Sequence, residues 1–361
     1  MTLAVNIAQG GSNNVTFRNK IINGACVIDQ RNAGASSTAA GYMIDRFANA
    51  PQAAGYITWG QNLGSVTPPN GFINYLGFST TTVYSLSAGD SFRCEYLIEG
   101  YNVADLGWGT ANAQPITISF WTRSSLTGTQ AATLQNSARS RSYPFTWTIN
   151  SANTWEYKTT TIVGDTTGTW LTTNGIGIRI NFNLGCGASG AGTAGSWSSN
   201  NYVSATGAVN VVSTSGATMY ITGVQLEAGT TASPFEYRQY GTELALCQRY
   251  YKKIGGTYAG QNGTGYVFIG SGLQRSTTSA AFGMAFSPTM RATPSVSFDS
   301  NVVCSDRTNF DTTLASLSNI AGDGNGMEFF AAFSACGAQF RPMLLSTASG
   351  TTGYMDFSSE L

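Results

Sequence analysis

The stretch ITISFWTRSSLTGTQ, from Ile116 to Gln130, contains the alternation that decides the fold. Apolar and polar side chains alternate along ITISFWTR with a period of two, which is typical of a half-buried β-strand. The SLTGT that follows is rich in turn-forming residues. The same combination recurs in YPFTWTI (Tyr143 to Ile149), EYKTTTIV (Glu156 to Val163), GIGIRINFNL (Gly175 to Leu184) and ATMYITGVQLE (Ala217 to Glu227). Such an array of short antiparallel strands predicts an all-β protein with a jelly-roll sandwich.

The composition limits the class of protein. The chain has 361 residues, of which 42% are hydrophobic, so it is long enough for two domains with full cores. Charged residues make up only 10%, against about 25% in average soluble proteins, and 18 basic side chains balance 18 acidic ones. A chain with this balance has no basic surface for nucleic acid, and no apolar run reaches the length of a membrane span. We therefore predict neither nucleic-acid binding nor membrane insertion.

The histidine and cysteine content narrows the chemistry further. The absence of histidine excludes Ser-His and Cys-His catalysis and histidine-containing zinc sites. The cysteines form no CxxC motif, so we interpret them as buried thiols, and a Cys304–Cys336 disulfide stays open because spacing cannot decide it. No cofactor or metal is predicted. Jelly rolls can hold a calcium ion, but DTTGT (Asp165 to Thr169) is too weak a motif to assign one. The six cysteines are Cys26, Cys94, Cys186, Cys247, Cys304 and Cys336.

A charged, amphipathic stretch, GVQLEAGTTASPFEYRQYGTELALCQRYYKKIGG (Gly223 to Gly256), divides the strands into two series. We predict an N-terminal attachment segment over 1–22, a jelly-roll domain over 23–238, a helical connector over 239–256 and a small C-terminal β-sandwich over 257–361. Lys252 and Lys253 would lie in the last turn of the connector helix, which Gly255 would end. The spacing of Leu244, Cys247, Tyr251 and Ile254 predicts one apolar stripe on that helix, a candidate oligomer contact.

The same stretch carries a resemblance to a known family. ITGVQLEAGTTASPFEYRQYGTELALCQRYYKK resembles the phrase "GVQLE-G--ATPFE-R-Y-EEL-LCQRYY" of bacteriophage tail fibre and receptor-binding proteins. FSPTMRATPSVSF resembles the "F-VPMRATPTV" element that follows it in that family, and NGACVIDQRN with GYMIDRF resembles the family's beginning. The resemblance implies a jelly roll similar to carbohydrate-binding modules, in a virion component that touches the host surface. It also implies a homotrimer attached to other virion proteins.

We therefore expect a non-enzymatic phage virion protein of the tail fibre or receptor-binding type, which recognises a host surface glycan. It would be made in the host cytoplasm, since MTLAVNIAQGG lacks the charged and apolar regions of a signal peptide. A capsid decoration or baseplate protein with an attachment role only is the alternative, because polar, uncharged β-rich surfaces suit both. A polysaccharide-degrading enzyme is a second alternative. Against it, Glu95 and Glu99 on one strand would be about 13 Å apart, and a glycosidase needs its two carboxylates within about 5 to 9.5 Å.

Candidate ligand-binding residues follow from the chemistry of sugars. A sugar needs an exposed aromatic ring for its apolar C–H face and polar neighbours for its hydroxyls. Trp197 leads the candidates because it lies in LGCGASGAGTAGSWSSNN (Leu184 to Asn201), a predicted surface loop with few local partners for a large ring. Tryptophans in or beside strands are expected in the core: Trp121, Trp147, Trp155 and Trp170. The candidates are Trp197, Tyr202, Trp59, Tyr101, Asp105 and Trp108, and no catalytic residue is predicted.

Overall fold

The computed structural model describes residues 17–257, 266–305, 311–334 and 340–361. The chain divides into two units, one up to Glu243 and the other from Leu244 to Glu360. Both units are built of β-strands, so the all-β prediction is confirmed. Among the described residues there is one α-helix, α1 (Tyr240–Gln248). None of the helices in these ranges has the length and apolar character needed to cross a membrane.

The first unit is a sandwich of two antiparallel sheets. The six-stranded sheet has the order β1-β2-β5-β10-β7-β8 and the five-stranded sheet the order β3-β4-β13-β6-β9. Consecutive strands β6 and β7 lie in different sheets, as the jelly-roll prediction requires. The strands of the two sheets are β1 (Gly41–Ile44), β2 (Phe47–Ala50), β3 (Ile57–Gln61), β4 (Leu76–Thr80), β5 (Ser91–Glu99), β6 (Ile116–Ser124), β7 (Gly128–Gln135), β8 (Ser142–Ile149), β9 (Glu156–Ile162), β10 (Ile176–Cys186) and β13 (Thr218–Ala228). The short strands β11 (Ala191–Gly192) and β12 (Ser204–Ala205) form a separate parallel pair.

The core of this unit lies between the two sheets. Side chains alternate along each strand, so Ile118 and Phe120 of β6 meet Ile180 and Phe182 of β10 in the middle of the sandwich. The rings of Phe120 and Phe182 contact edge to face with centroids 5.4 Å apart. The side chains between them along the strands therefore point to the outer faces of the sheets, and these faces carry the candidate sites.

The beginning and the end of the first unit lie side by side. The Lys20 amide donates to the Leu226 carbonyl at 2.8 Å, and the Asn19 side chain donates to the Val224 carbonyl at 3.1 Å. Arg238 donates to the Ile21 carbonyl at 3.1 Å. We call this arrangement the terminal clamp. Its residues belong to the jelly-roll unit although attachment was predicted for 1–22, and residues 1–16 of that prediction lie outside the described ranges.

The predicted connector helix over 239–256 is wrong in its second half. The helix α1 ends at Gln248, and Tyr251–Thr257 forms a strand that pairs with Thr352–Ser358. Gly255 is in this strand at φ +128°, where an added Cβ would lie 2.1 Å from the Gly353 carbonyl oxygen. The spacing of apolar residues favours a helix over 249–256, but the hydrogen bonds of Tyr251–Thr257 to a strand about 100 residues further along the chain stabilise a strand instead. Leu244 and Cys247 are therefore helical while Tyr251 and Ile254 are in a strand, so the four form no helical stripe.

The described residues of the second unit form two sheets, in line with the predicted C-terminal sandwich. A three-stranded sheet has the order β14-β23-β17 and a seven-stranded sheet the order β19-β18-β22-β15-β16-β21-β20. Phe282, Phe329, Leu345 and Phe357 are buried in its core. The strands are β14 (Tyr251–Thr257), β15 (Phe268–Ser276), β16 (Ser279–Ala285), β17 (Ser295–Phe298), β18 (Val302–Ser305), β19 (Asp311–Thr313), β20 (Ser316–Gly322), β21 (Gly326–Ala332), β22 (Pro342–Thr347) and β23 (Thr352–Ser358).

The cysteines in the described ranges are buried. Cys26, Cys94 and Cys186 are free thiols in the first unit, and Cys247 and Cys304 are buried in the second. Burial raises the pKa of the Cys26 thiol to about 12, so this group stays protonated and inert. Cys336 lies outside the described residues, so the Cys304–Cys336 disulfide stays open.

Candidate functional site

The outer face of the five-stranded sheet carries exposed aromatic rings. Trp121 of β6 points outward, since its neighbour Phe120 enters the core. Tyr157 lies opposite Trp121 on strand β9, with ring centroids 5.5 Å apart at an interplanar angle of 51°. The Tyr157 side chain is 45% exposed. The two rings together form an accessible apolar surface on the sheet.

These rings lie in an open groove of about 780 Å³ that also contacts the segment 230–237. The opposite wall is aromatic as well: the Phe72 ring is 5.2 Å from that of Phe235 and 5.5 Å from that of Tyr237. The Tyr237 hydroxyl donates to the Gly71 carbonyl at 2.7 Å, which fixes an otherwise exposed ring. We call this feature, lined by Phe72, Trp121, Tyr157, Phe235 and Tyr237, the aromatic groove.

A glycine makes this arrangement sterically feasible. Gly223 lies where the pairing of β13 with β6 shifts register, and its φ of +60° is in the left-handed region. A Cβ at this position would lie 2.6 Å from Phe72 and 3.3 Å from Trp121. The missing side chain therefore lets rings from both walls approach the strand.

Hydroxyl groups line the rest of the groove. Thr159, Thr161, Thr230 and Thr231 are exposed at its surface, and Thr161 donates to the Thr230 carbonyl at 3.0 Å. Among the described residues that line the groove, none carries a charged side chain. The site therefore offers apolar ring faces surrounded by neutral hydrogen-bonding groups.

A second, polar pocket lies on the outer face of the six-stranded sheet. It has a volume of about 540 Å³ and is lined by Asp90, Arg93, Arg139, Asn200 and Tyr202, among others. We call it the arginine pocket. Residues 187–203, between β10 and β12, form the glycine-rich loop. It covers this face of the sheet, because Ser142 pairs with Ser198 and the Gln135 side chain donates to the Tyr202 carbonyl at 2.9 Å. The sequence predicts this loop at the surface, and in the structure it packs on the outer face of the six-stranded sheet.

Two of the six predicted ligand-binding residues are in the core. Trp59 is 3% exposed and Trp108 is 6% exposed. The indole nitrogen of Trp59 donates to the Ala39 carbonyl and that of Trp108 to the Gln114 carbonyl, both at 2.8 Å. Each lies in a segment without clear alternation, which suggested an exposed loop. Both segments instead contribute a large ring to the sandwich core, so the prediction of ligand contact is wrong for these two.

Trp197, the leading candidate, is an anchor for the glycine-rich loop. Its ring contacts those of Trp108 and Trp170 at 5.4 Å and that of Tyr143 at 5.1 Å. Its indole nitrogen donates to the Val163 carbonyl at 2.9 Å. The expectation of few partners considered only sequence neighbours, whereas these partners come from distant parts of the chain. We call the rings of Trp108, Trp170, Trp197 and Tyr143 the tryptophan cluster.

The remaining predicted residues are accessible but lie apart from the aromatic groove. Tyr101 is 61% exposed in a short helical turn after β5. The Asp105 carboxylate accepts from Lys20 at 2.7 Å and is also exposed. Tyr202 lines the arginine pocket on the other sheet. The structure thus does not bring the six predicted residues into one site, and the prediction missed Trp121 and Tyr157.

Asp165, in the DTTGT turn, has an ionic partner of its own chain. Its carboxylate accepts two hydrogen bonds from the Arg141 guanidinium, at 2.7 and 2.9 Å, and two from Thr167. Among the described residues no group of three or more His, Cys, Asp or Glu side chains could hold a metal ion. The turn is therefore assigned to an ion pair, and the expectation that no cofactor is needed stays a prediction.

We expect the first unit to lose stability in acid, because protonation of Asp165 removes the stabilising effect of this ion pair. Burial raises the pKa of Asp165, but the hydrogen bonds from Arg141 and Thr167 outweigh it and hold the pKa below the usual 3.8. A carboxyl group with a lowered pKa stabilises the folded state at pH values above 3.8. This stabilisation is lost as the pH falls through the lowered folded-state pKa. Thermal melts between pH 7 and about pH 2 should show a smaller acid-induced loss in Asp165→Asn than in the wild type. Equal losses in both proteins would contradict the assignment.

Comparison with known proteins gives neighbours of low similarity. No protein-family model matches the chain, and no curated protein matches it. Among solved structures, the chain is similar to the enzymatically active domain of bacteriophage CBA120 tailspike protein 4, with 13% identity, 59% of this chain and 22% of that chain covered, and a TM-score of 0.32. It is also similar to the N-terminal cellulose-binding domain of Cellulomonas fimi β-1,4-glucanase C, with 15% identity, coverage of 48% and 90%, and a TM-score of 0.22. At these TM-scores no site residue is transferred to this chain.

Proposed function

We propose that the first unit binds a neutral glycan in the aromatic groove. The observation that carries the proposal is the exposed Trp121–Tyr157 surface, surrounded by threonine hydroxyls and free of charged lining residues among those described. The apolar C–H face of a sugar can stack on such rings, while its hydroxyls exchange hydrogen bonds with threonine side chains. A groove of about 780 Å³ falls in the usual range of small-ligand sites, roughly 300–1,000 Å³.

We expect this binding to be insensitive to salt. Stacking and neutral hydrogen bonds involve no net charge, so raising the ionic strength from 0.05 to about 1 M, which shortens the Debye length to about 3 Å, should leave the dissociation constant within about twofold. Isothermal titration with a glycan selected on a glycan array measures this directly. A steep loss of affinity with salt would show that the groove recognises a charged ligand instead.

We propose that binding occurs without catalysis. A glycosidase needs a pair of carboxylates at its cleavage site, and the groove-lining residues within the described ranges include no Asp or Glu. Prolonged incubation with the selected polysaccharide should release no reducing ends. Release that is lost on substituting an Asp or Glu would overturn this part of the proposal.

The biological setting we propose is a phage virion, as a tail fibre or receptor-binding protein that attaches to a host surface glycan. The support is the sequence resemblance over residues 221–253 together with a groove suited to sugars. A capsid decoration or baseplate protein with an attachment role only is the alternative. Labelled protein on the tail tip, with binding to host cells that the free glycan competes away, supports receptor binding, whereas capsid labelling supports decoration.

We also propose a homotrimer, since weak single-site glycan binding becomes useful to a virion when several linked sites act together. The helical stripe that first suggested a contact does not exist, so the interface must come from other surfaces. Light scattering on the purified chain should give three times 38.0 kDa. A monomer at micromolar concentration would reject this arrangement while leaving glycan binding by a single chain unaffected.

A further inference from the structure

The arginine pocket, together with Glu95 and Arg179 beside it, carries more positive than negative charge. Arg179 and Arg139 both donate to the same oxygen of Glu95, at 2.9 and 3.4 Å. Arg93 is close enough to these groups for Glu95, Arg139 and Arg179 all to affect its pKa. Asp90 contributes a second carboxylate, which accepts a hydrogen bond from the Ser87 amide at 2.8 Å. Three guanidinium groups therefore meet two carboxylates, leaving a formal charge of +1.

Arg93 is the group least satisfied by the protein. It donates to the Ser91 hydroxyl at 2.7 Å, while its buried Nε atom has no hydrogen-bond partner. Burial lowers the pKa of Arg93, and the positive charges of Arg139 and Arg179 lower it further against the opposing effect of Glu95. A partly buried guanidinium without a carboxylate of its own is costly, and a bidentate anion is its best partner.

The rest of the pocket is built for more than a lone ion. Tyr202 provides a ring and Asn200 and Asn201 provide amides on the loop side, with Ser189 beside them. The Asn200 amide donates to the Tyr202 hydroxyl at 2.9 Å, so these groups are held in place. A volume of about 540 Å³ is in the range of small-molecule sites, roughly 300–1,000 Å³, and exceeds the need of an inorganic anion.

We propose that the arginine pocket binds an acidic sugar residue, with Arg93 and Arg139 holding its carboxylate and Tyr202, Asn200 and Asn201 contacting its ring. This site goes beyond the neutral-glycan site, because it lies on the outer face of the opposite sheet of the same unit. The chain would then recognise two chemically different saccharides on two faces. Binding here depends on charge, in contrast to the aromatic groove.

The test compares acidic sugars with their neutral counterparts. Titrations followed by NMR use D-glucuronate against D-glucose, D-galacturonate against D-galactose, and N-acetylneuraminate. At least one of the two uronates should bind about tenfold or more tightly than its neutral counterpart, or N-acetylneuraminate about tenfold or more tightly than acetate, and the affinity of that acid should fall with rising salt. If no acid is preferred, or if acetate binds as tightly as the best acid, the proposal is overturned.

Variants locate the site. Arg139→Gln is the main variant, because the Arg139 side chain is 37% exposed and its loss should leave the fold intact. It should weaken acid binding about tenfold or more, and Arg93→Gln should do the same. Arg123→Gln, on the other sheet, is the matched control and should bind the acid like the wild type, as should Trp121→Ala. Unchanged acid binding in both pocket variants would overturn the proposal, whereas loss of neutral-glycan binding in Trp121→Ala concerns the aromatic groove alone.

Discussion

The Trp121→Ala variant is expected to bind the neutral glycan about 30-fold or more weakly than the wild type. Truncating a tryptophan at the centre of a binding surface typically costs about 2 kcal/mol or more, which is a factor of about 30 in the dissociation constant. Trp121 is only half-buried and is on an outer sheet face, so its loss opens no cavity in the core. Isothermal titration with the same glycan, together with a thermal melt, measures both consequences.

The control for this experiment is Tyr101→Ala. Tyr101 is also an exposed aromatic residue of the first unit, but it lies outside the groove. Its removal should change neither the affinity nor the melting temperature. A Trp121→Ala protein that is folded and binds normally would reject the aromatic groove as the glycan site, and a binding loss in Tyr101→Ala would move the site to the turn after β5.

The Trp108→Ala variant should be the most destabilised of the single substitutions considered. Trp108 is almost fully buried, and its ring is 4.7 Å from that of Trp170 and 5.4 Å from that of Trp197. Truncating a buried tryptophan to alanine costs about 3–5 kcal/mol. In a unit of this size that lowers the melting temperature by about 10 °C, since each kcal/mol corresponds to about 2–4 °C.

Calorimetry on Trp108→Ala, Trp108→Phe and the exposed control Tyr101→Ala separates ring packing from other effects. Trp108→Phe keeps most of the apolar ring but loses the hydrogen bond to Gln114, so it should be intermediate. A Trp108→Ala melting temperature within about 2 °C of the wild type would show that the tryptophan cluster contributes little to the stability of the first unit.

The strand architecture could be predicted because its signal is local. In ITISFWTR the residues Ile116, Ile118 and Phe120 alternate with polar neighbours, and the structure has them in the core. The same alternation also indicates that Trp121 of the candidate site lies on the outer face of the sheet. Trp121 shares the parity of Thr117 and Ser119, so its position on the outer face follows from the pattern although a large apolar ring suggested the core.

The features that could not be predicted depend on contacts between distant residues. The helix predicted over 239–256 includes Lys252 and Lys253, yet the chain forms a strand there because Tyr251 pairs with Ser358. Trp197 lies among small residues in the sequence, and its ring partners are 27 to 89 positions away along the chain. The arginine pocket likewise joins side chains from β5, the turn before β8 and the glycine-rich loop. Local periodicity carries no information about contacts between residues that are far apart in the sequence.

The terminal clamp has a mechanical consequence. The chain enters and leaves the first unit at neighbouring points, joined by hydrogen bonds from Lys20 to Leu226 and from Arg238 to Ile21. Tension transmitted along the chain through residues 18 and 238 would therefore act first on this short set of bonds. The two sheets of the sandwich, with both of their outer faces, would stay outside the path of the force. A unit attached in this way can hold a ligand while the rest of the chain is pulled, and its adjacent ends would also allow it to be inserted whole into a loop of another protein.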